Sequence, residues 1–185
     1  HEKQEKQTQM NEQELKAQKL EKQKMMKEKG ERQAMPPKEK IDMSWKKIME
    51  TGGENSAAVQ FAKALKTEGK DHATDVINKL KQLEASGQSN VYFKEAEFNT
   101  LGYVFLYHEK VDEAIFVFKN NVEMYPDSWN AYDSLAEGLL VAGKYDKARK
   151  FYEKSIAMNP GNENGKKMLV RLDELEKEDV AKKGI

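Results

Sequence analysis

The chain has 185 residues, of which 38% are apolar and 35% are charged, and its mean hydropathy is -0.91. Its 32 basic and 32 acidic residues cancel, so we expect no nucleic-acid partner and no binding to anionic lipid. There are no cysteines, which excludes disulfides and thiolate metal sites, and no apolar run of about 18 residues that could span a membrane. We therefore expect one folded domain and a strongly solvated segment.

The N-terminal segment, residues 1–40, is rich in Lys, Glu and Gln and poor in apolar residues. Its few apolar positions keep no regular helical spacing, so a helix here would have no apolar face to bury. We predict a charged extension that is a frayed helix or disordered, with a partner-dependent helix or coiled coil as the alternative. Because the chain starts at His1 and not at Met, we expect any targeting segment to have been removed already.

Residues 41–93 are predicted to form N-terminal helices. The first is a short amphipathic helix that carries Trp45 and stops at residues 52–53, which are both glycine. Two more follow at residues 56–68 and 72–85, on either side of a glycine. We interpret them as a degenerate copy of a helical pair that recurs twice further along the chain.

Two tandem copies of one pattern occupy residues 94–128 and 129–162, at a spacing of 34 residues. Each copy has large apolar residues on one face of its first helix, small residues where two helices would cross, and a proline at its end. The matching positions are Phe98 with Tyr132, Leu101 with Leu135, Gly102 with Ala136, Phe105 with Leu139, Ala114 with Ala148, Phe118 with Tyr152, and Pro126 with Pro160. This pattern resembles the tetratricopeptide repeat, a helix–turn–helix unit. The first copy departs from it at Glu109, where the family has its turn glycine, and at Asn121, which matches Ser155 of the second copy.

The resemblance implies an all-α fold in which tandem helix–turn–helix repeats stack into a short right-handed α-solenoid. Residues 163–185 are then a capping helix and tail, because the last repeat of a solenoid would otherwise expose its core face. The stripe formed by Met168, Leu169 and Leu172 suits such a cap. Residues 1–40 complete the predicted order as the charged helical or disordered extension.

A wider resemblance covers residues 41–172. The Trp45 helix, the two glycines after it and the repeat blocks are similar to the tetratricopeptide module at the C-terminal end of some bacterial secreted or periplasmic serine hydrolases. In those proteins the module is an appendage and not the catalytic part. The resemblance therefore implies a bacterial origin, favours a periplasmic or secreted location over the cytoplasm, and implies no activity.

The sequence contains no recognisable set of catalytic residues. There is no Gly-x-Ser-x-Gly nucleophile motif and no glycine-rich loop that would hold phosphate. His72 and His108 have no partner at metal-ligand spacing. We predict that the chain is not an enzyme and that it has no catalytic residue, cofactor or metal site.

Partner-binding residues follow from the family resemblance, in which the first helices of the repeats line a concave groove. Carried over by register, they are Asn99, Tyr103, Leu106, Tyr107, Asn130, Asp133, Glu137, Leu140 and Val141. The tyrosines at 103 and 107 have an alternative role, which is to cover the preceding helix pair. A groove that mixes aromatic and acidic residues favours a neutral or basic peptide.

We therefore predict a non-catalytic protein–protein interaction module that docks a partner peptide or helix in this groove. Two alternatives stay open. The chain could self-associate into a structural homo-oligomer, or it could be an accessory module that acts with a separate hydrolase.

Overall fold

The structure, a computed structural model, describes residues 36–182 and the side chains of residues 36–178. Within that part, eight α-helices follow one another without a strand. They are α1 (Lys38–Gly52), α2 (Ala57–Thr67), α3 (Lys70–Ala85), α4 (Glu95–Tyr107), α5 (Val111–Met124), α6 (Trp129–Val141), α7 (Tyr145–Met158) and α8 (Glu163–Lys182). Nearly all of the predicted charged extension lies outside the described residues, so its state remains a prediction.

The helices from α4 to α8 stack in chain order, and each helix from α5 onwards packs on the one before it. The two repeats close their hairpins in the same way. Lys110 N donates to Phe105 O at 2.9 Å in the first repeat, and Lys144 N donates to Leu139 O at 2.9 Å in the second. The predicted all-α fold of tandem helix–turn–helix repeats is confirmed. At the end of the stack α8 packs on α7 and buries Leu172 completely, as a capping helix should.

Small residues stand where the helices of a repeat cross, and the structure shows why. A Cβ built on Gly102 of α4 would lie 2.2 Å from Cε1 of Phe118 on α5. The corresponding alanine of the second repeat, Ala136, is fully buried, as are Ala114 and Ala148 on the second helices. The prediction that close helix crossing requires small residues here is therefore confirmed.

The turn of the first repeat holds a non-glycine residue in a left-handed conformation. Glu109 has φ 63°, and its counterpart Gly143 has φ 69°. Side chains with a Cβ are disfavoured in this region, which glycine enters freely. The departure from the family pattern at Glu109 therefore changes the strain in the turn and not its geometry.

The first helical pair, α2 and α3, joins the repeats through α2. Phe61 of α2 packs edge-on against Phe98 at 5.7 Å between ring centroids, and stacks on Phe116 at 5.6 Å. In the chain-order stack α5 packs broadly on α6, whereas α4 packs on α1 and α2 and at most marginally on α3. The first pair thus meets the repeats differently from the way the repeats meet each other. That α2 and α3 are a degenerate repeat copy remains a proposal.

Candidate partner-binding face

The nine predicted partner-binding residues lie on α4 and α6, the first helices of the two repeats. We call them the first-helix face. The two helices are neighbours and are linked by side chains: Asn130 Nδ2 on α6 donates to Glu95 Oε1 on α4 at 3.1 Å. The face therefore spans both repeats.

The structure places much of the first-helix face below the surface. Five of its residues are buried, namely Tyr103, Leu106, Asp133, Glu137 and Leu140. The other four are half-buried, namely Asn99, Tyr107, Asn130 and Val141. The five buried residues therefore present little of their side chains at the surface. Whether the face binds a partner is untested and stays a prediction.

Tyr103 and Glu137 form a buried hydrogen bond between the two repeats. They occupy the same register position in successive copies, and the Tyr103 hydroxyl donates to Glu137 Oε2 at 2.8 Å. The same hydroxyl lies 3.3 Å from Ser134 Oγ. The Tyr103 ring packs edge-on against Phe118 of its own repeat, with 5.2 Å between centroids. These contacts direct Tyr103 towards α5 and α6, rather than over the preceding pair.

Burial controls the protonation of this hydrogen-bonded pair. It raises the pKa of Glu137 to about 8, with the hydrogen bond from Tyr103 opposing the shift and the nearby charge of Asp133 adding to it. Burial, together with the neighbouring Glu137 carboxylate, also raises the pKa of the Tyr103 phenol well above its ordinary value. The Glu137 carboxyl is therefore largely protonated at neutral pH.

Asp133 lies one helical turn before Glu137 and connects α6 to the start of α8. Its two carboxylate oxygens accept hydrogen bonds from Asn162 Nδ2 at 2.7 Å and Asn164 Nδ2 at 3.0 Å. Burial raises the pKa of Asp133, and the two amide donors partly offset that shift. Asn162 Nδ2 also donates to Ser155 Oγ at 2.8 Å, so the capping helix is attached to the second repeat by a buried polar network.

Tyr152 of α7 is a further polar residue near this pair of carboxyl groups. Its side chain is fully buried, and its hydroxyl has no hydrogen-bond partner among the residues that the structure describes. Burial raises its pKa well above the ordinary value, and so do the charges of Glu137 and Asp133. The hydroxyl therefore lies within electrostatic reach of both carboxyl groups.

The first helices carry acidic charge only. Between them, α4 and α6 contain four acidic residues, Glu95, Glu97, Asp133 and Glu137, and no Lys, Arg or His. Apart from Glu97, which accepts from Ser56 Oγ on the first pair at 2.6 Å, these carboxylates lie on or beside the first-helix face. No positively charged side chain of these two helices would therefore repel a cationic group on a partner.

No metal site or membrane span is found in the described part of the chain. No group of three or more His, Asp or Glu residues there could hold a metal ion. Across residues 36–182, no helix is both long and apolar enough to cross a bilayer. His72 Nε2 lies 3.3 Å from Glu68 Oε1, and His108 Nε2 lies 3.5 Å from Asp42 Oδ1.

The family model of the tetratricopeptide repeat matches residues 129–162. This segment comprises α6, α7 and the turn after them, so it includes Asp133 and Glu137 of the first-helix face. No curated protein matches the chain. Tetratricopeptide repeats generally mediate protein–protein interactions, and this supports a binding-module role for the chain.

Sequence reasoning missed the residues around the two carboxyl groups. Asn162 and Asn164 donate to Asp133, Ser134 lies beside the Tyr103 hydroxyl, Ser155 accepts from Asn162, and Tyr152 is buried nearby without a hydrogen-bond partner among the described residues. Asn162 carried a usable signal, since it follows a Pro-Gly pair and precedes a helical pattern, as a helix-capping residue does. Its Oδ1 indeed accepts from Gly165 N at 2.9 Å. That its amide nitrogen would reach Asp133 on another helix had no signal in the sequence.

Proposed function

We propose that the chain is a non-catalytic interaction module that docks a segment of a partner protein along the first-helix face. The observation that carries this proposal is the pairing of α4 and α6 across the two repeats. It yields a face that carries two half-buried amide side chains, Asn99 and Asn130, and the Asn130 amide already donates to the half-buried Glu95. Amide side chains can hold a peptide backbone by donating and accepting hydrogen bonds at once.

Partner capture with surface variants tests the proposal. The double variant Asn99→Lys/Asn130→Lys adds bulk and charge at half-buried positions and leaves the Tyr103–Glu137 hydrogen bond in place. Asn78→Lys makes the same chemical change at an exposed position on α3, away from the face, and is the matched control. The full chain and both variants are used as bait in an extract of the source cells, and captured proteins are quantified by mass spectrometry.

We expect a partner that the full chain and the control capture equally and that the double variant loses by about tenfold or more. Circular dichroism must show that both variants stay folded. Equal capture by all three baits would move the docking site off the first-helix face. Capture of the chain by itself alone would favour self-association, which sedimentation at several concentrations would then measure. Capture of a hydrolase would support the accessory-module interpretation that the wider resemblance implies.

A further inference from the structure

The buried carboxyl pair of α6 is a candidate receptor for a cation, because the groups seen beside it are neutral hydroxyls and amides and none carries a positive charge. Asp133 and Glu137 are 7% and 3% exposed, and both face helices that bring hydroxyl and amide groups to them. The neighbours seen around Glu137 are Tyr103 on α4, Ser134 and Asp133 on α6, and Tyr152 on α7. None of these groups carries a positive charge at neutral pH.

Two further acceptors in this region lack partners. The side chain of Tyr152 is 0% exposed, and its hydroxyl has no hydrogen-bond partner among the described residues. Asn99 Oδ1, one turn before Tyr103 on α4, is also buried and has no hydrogen-bond partner in that part of the chain. A buried polar atom without a hydrogen-bond partner is unfavourable, so a ligand that brings a donor to it would bind favourably.

We propose that this cluster, formed by Tyr103, Asp133, Glu137 and Tyr152, receives the ammonium group of a lysine side chain from the docked partner. The proposal rests on the proposed function, since it names the anchor residue of the segment that the first-helix face would bind. We call these four residues the acidic cluster.

A lysine suits the acidic cluster better than an arginine does. Asp133 and Glu137 are almost fully buried, and an aliphatic stem with a compact head needs less room beside them than a broad planar group does. An ammonium group has three donors that point in different directions, and the cluster offers acceptors on three helices. The planar guanidinium of arginine is wider, and it prefers to donate two hydrogen bonds at once, one to each oxygen of the same carboxylate. Both oxygens of Asp133 are already occupied by asparagine amides.

Binding of an ammonium should release a proton. Burial keeps Glu137 protonated at neutral pH, with a pKa of about 8, whereas the ammonium stabilises the carboxylate form. Since only the deprotonated cluster pairs with the cation, the apparent affinity should rise by up to about tenfold per pH unit below pH 8 and level off above it. The groups that face Glu137 and titrate are Tyr103, Asp133 and Tyr152, and the phenols stay neutral throughout this range.

The test is an NMR titration of the folded chain with n-butylammonium chloride, a mimic of the lysine side chain. Neutral 1-pentanol has a similar shape, n-butylguanidinium mimics arginine, and sodium chloride at equal concentration controls for ionic strength. Glu137→Gln keeps the size and the hydrogen bond to Tyr103 but cannot become an anion. Glu153→Gln, an exposed acid on α7, is the matched control.

We expect butylammonium to shift the amide signals around Tyr103 and Glu137 along a saturable curve, with a millimolar Kd that suits so small a probe. Glu137→Gln should weaken this binding by about tenfold or more, and Glu153→Gln should leave it unchanged. A second variant, Tyr152→Phe, retains the ring and both carboxyl groups and should weaken binding a few-fold while the fold is kept. Between pH 6 and 8 the affinity should rise, and calorimetry in two buffers should record the released proton.

An equal response to pentanol, equal or tighter binding of butylguanidinium, binding that Glu137→Gln does not weaken, or an affinity independent of pH would each overturn the lysine assignment. These failures are distinct from failure of the proposed function. Partner capture that is lost in Asn99→Lys/Asn130→Lys but unaffected by Glu137→Gln would retain docking on the first-helix face and reject the acidic cluster as its anchor.

Discussion

The close approach of Gly102 to the Phe118 ring allows a sharp test of how the first repeat packs. A Cβ at Gly102 would lie 2.2, 2.5 and 2.7 Å from three carbons on one edge of the ring. Carbon atoms in contact normally stand about 3.5–4.0 Å apart. The Phe118 side chain is 0% exposed, so the ring lies inside the packed core. Gly102→Ala must therefore push α4 and α5 apart or force the ring off its rotamer.

Two effects of opposite sign set the magnitude. Alanine in place of glycine inside a helix stabilises it by about 1 kcal/mol. Overpacking a filled core costs about 1–3 kcal/mol, and an overlap of this size belongs at or above the upper end of that range. We expect Gly102→Ala to lower the free energy of unfolding by about 2 kcal/mol, and Tm by about 4–8 °C for a chain of this length.

Gly138→Ala is the matched control, because it approaches the other edge of the same ring. Its Cβ would lie 3.1 Å from Cδ2 and 3.3 Å from Cε2 of Phe118, which is tight but needs only a small shift. At this position the gain in helix propensity offsets the crowding, and we expect the free energy of unfolding to change by no more than about 0.5 kcal/mol. Urea unfolding of the full chain, followed by circular dichroism, measures both variants. If the Gly102→Ala variant were as stable as the unaltered chain, the close contact between Gly102 and Phe118 would not constrain the packing of α4 on α5.

Three further predictions concern strain, unpaired polar atoms and protonation. Glu109→Gly should stabilise the chain by about 1 kcal/mol by relieving the left-handed turn, whereas Gly143→Glu should cost a similar amount; thermal unfolding that shows the same sign for both would contradict this. The Asn121 side chain is fully buried, and its two amide atoms have no partner among the described residues. Asn121→Leu keeps its size and should raise the free energy of unfolding by about 1–2 kcal/mol, as measured by urea unfolding. A loss of stability would mean that the amide is hydrogen-bonded in the folded chain. The raised pKa of Glu137 means that the folded state holds its proton more tightly than the unfolded state does. The resulting stability is full below pH 4.5 and is lost as the pH rises towards 8, with a slope of up to about 1.4 kcal/mol per pH unit that Glu137→Gln should flatten in denaturant titrations at several pH values.

The fold could be predicted from the sequence because its determinants are local and occur twice. A proline at the end of each copy, a small residue at each helix crossing and apolar residues at helical spacing each act within one hairpin. Agreement between Gly102 and Ala136, or between Pro126 and Pro160, fixed the register without any knowledge of distant contacts. The joint between the first pair and the repeats was less predictable, because it depends on where the α3–α4 connection runs. There Tyr92 N donates to Asn55 O at 2.9 Å, which ties that connection to the residues just before α2.

The first-helix face could be located from register, but its burial could not be predicted. Register alone makes Tyr103 and Glu137 neighbours, since they hold one position in successive copies. Whether such a position is open depends on the sizes of side chains on three other helices. The burial of Asp133 depends on two asparagines, Asn162 and Asn164, which lie 29 and 31 residues further along the chain. Patterns within one helix carry no information about such long-range cover.

Burial of the carboxyl groups also changes how the first-helix face would select a partner. Exposed acids attract any cation from a distance, and salt screens that attraction within about 10 Å at 0.1 M ionic strength. Asp133 and Glu137 are buried, and Glu137 is mostly uncharged near neutral pH, so their pull on a distant cation is weak. A partner would have to place its cation inside the acidic cluster before the favourable interaction begins, which makes shape and reach the basis of selection. Partner binding should accordingly depend steeply on pH and only weakly on salt. The reverse pattern would assign recognition to surface charges instead.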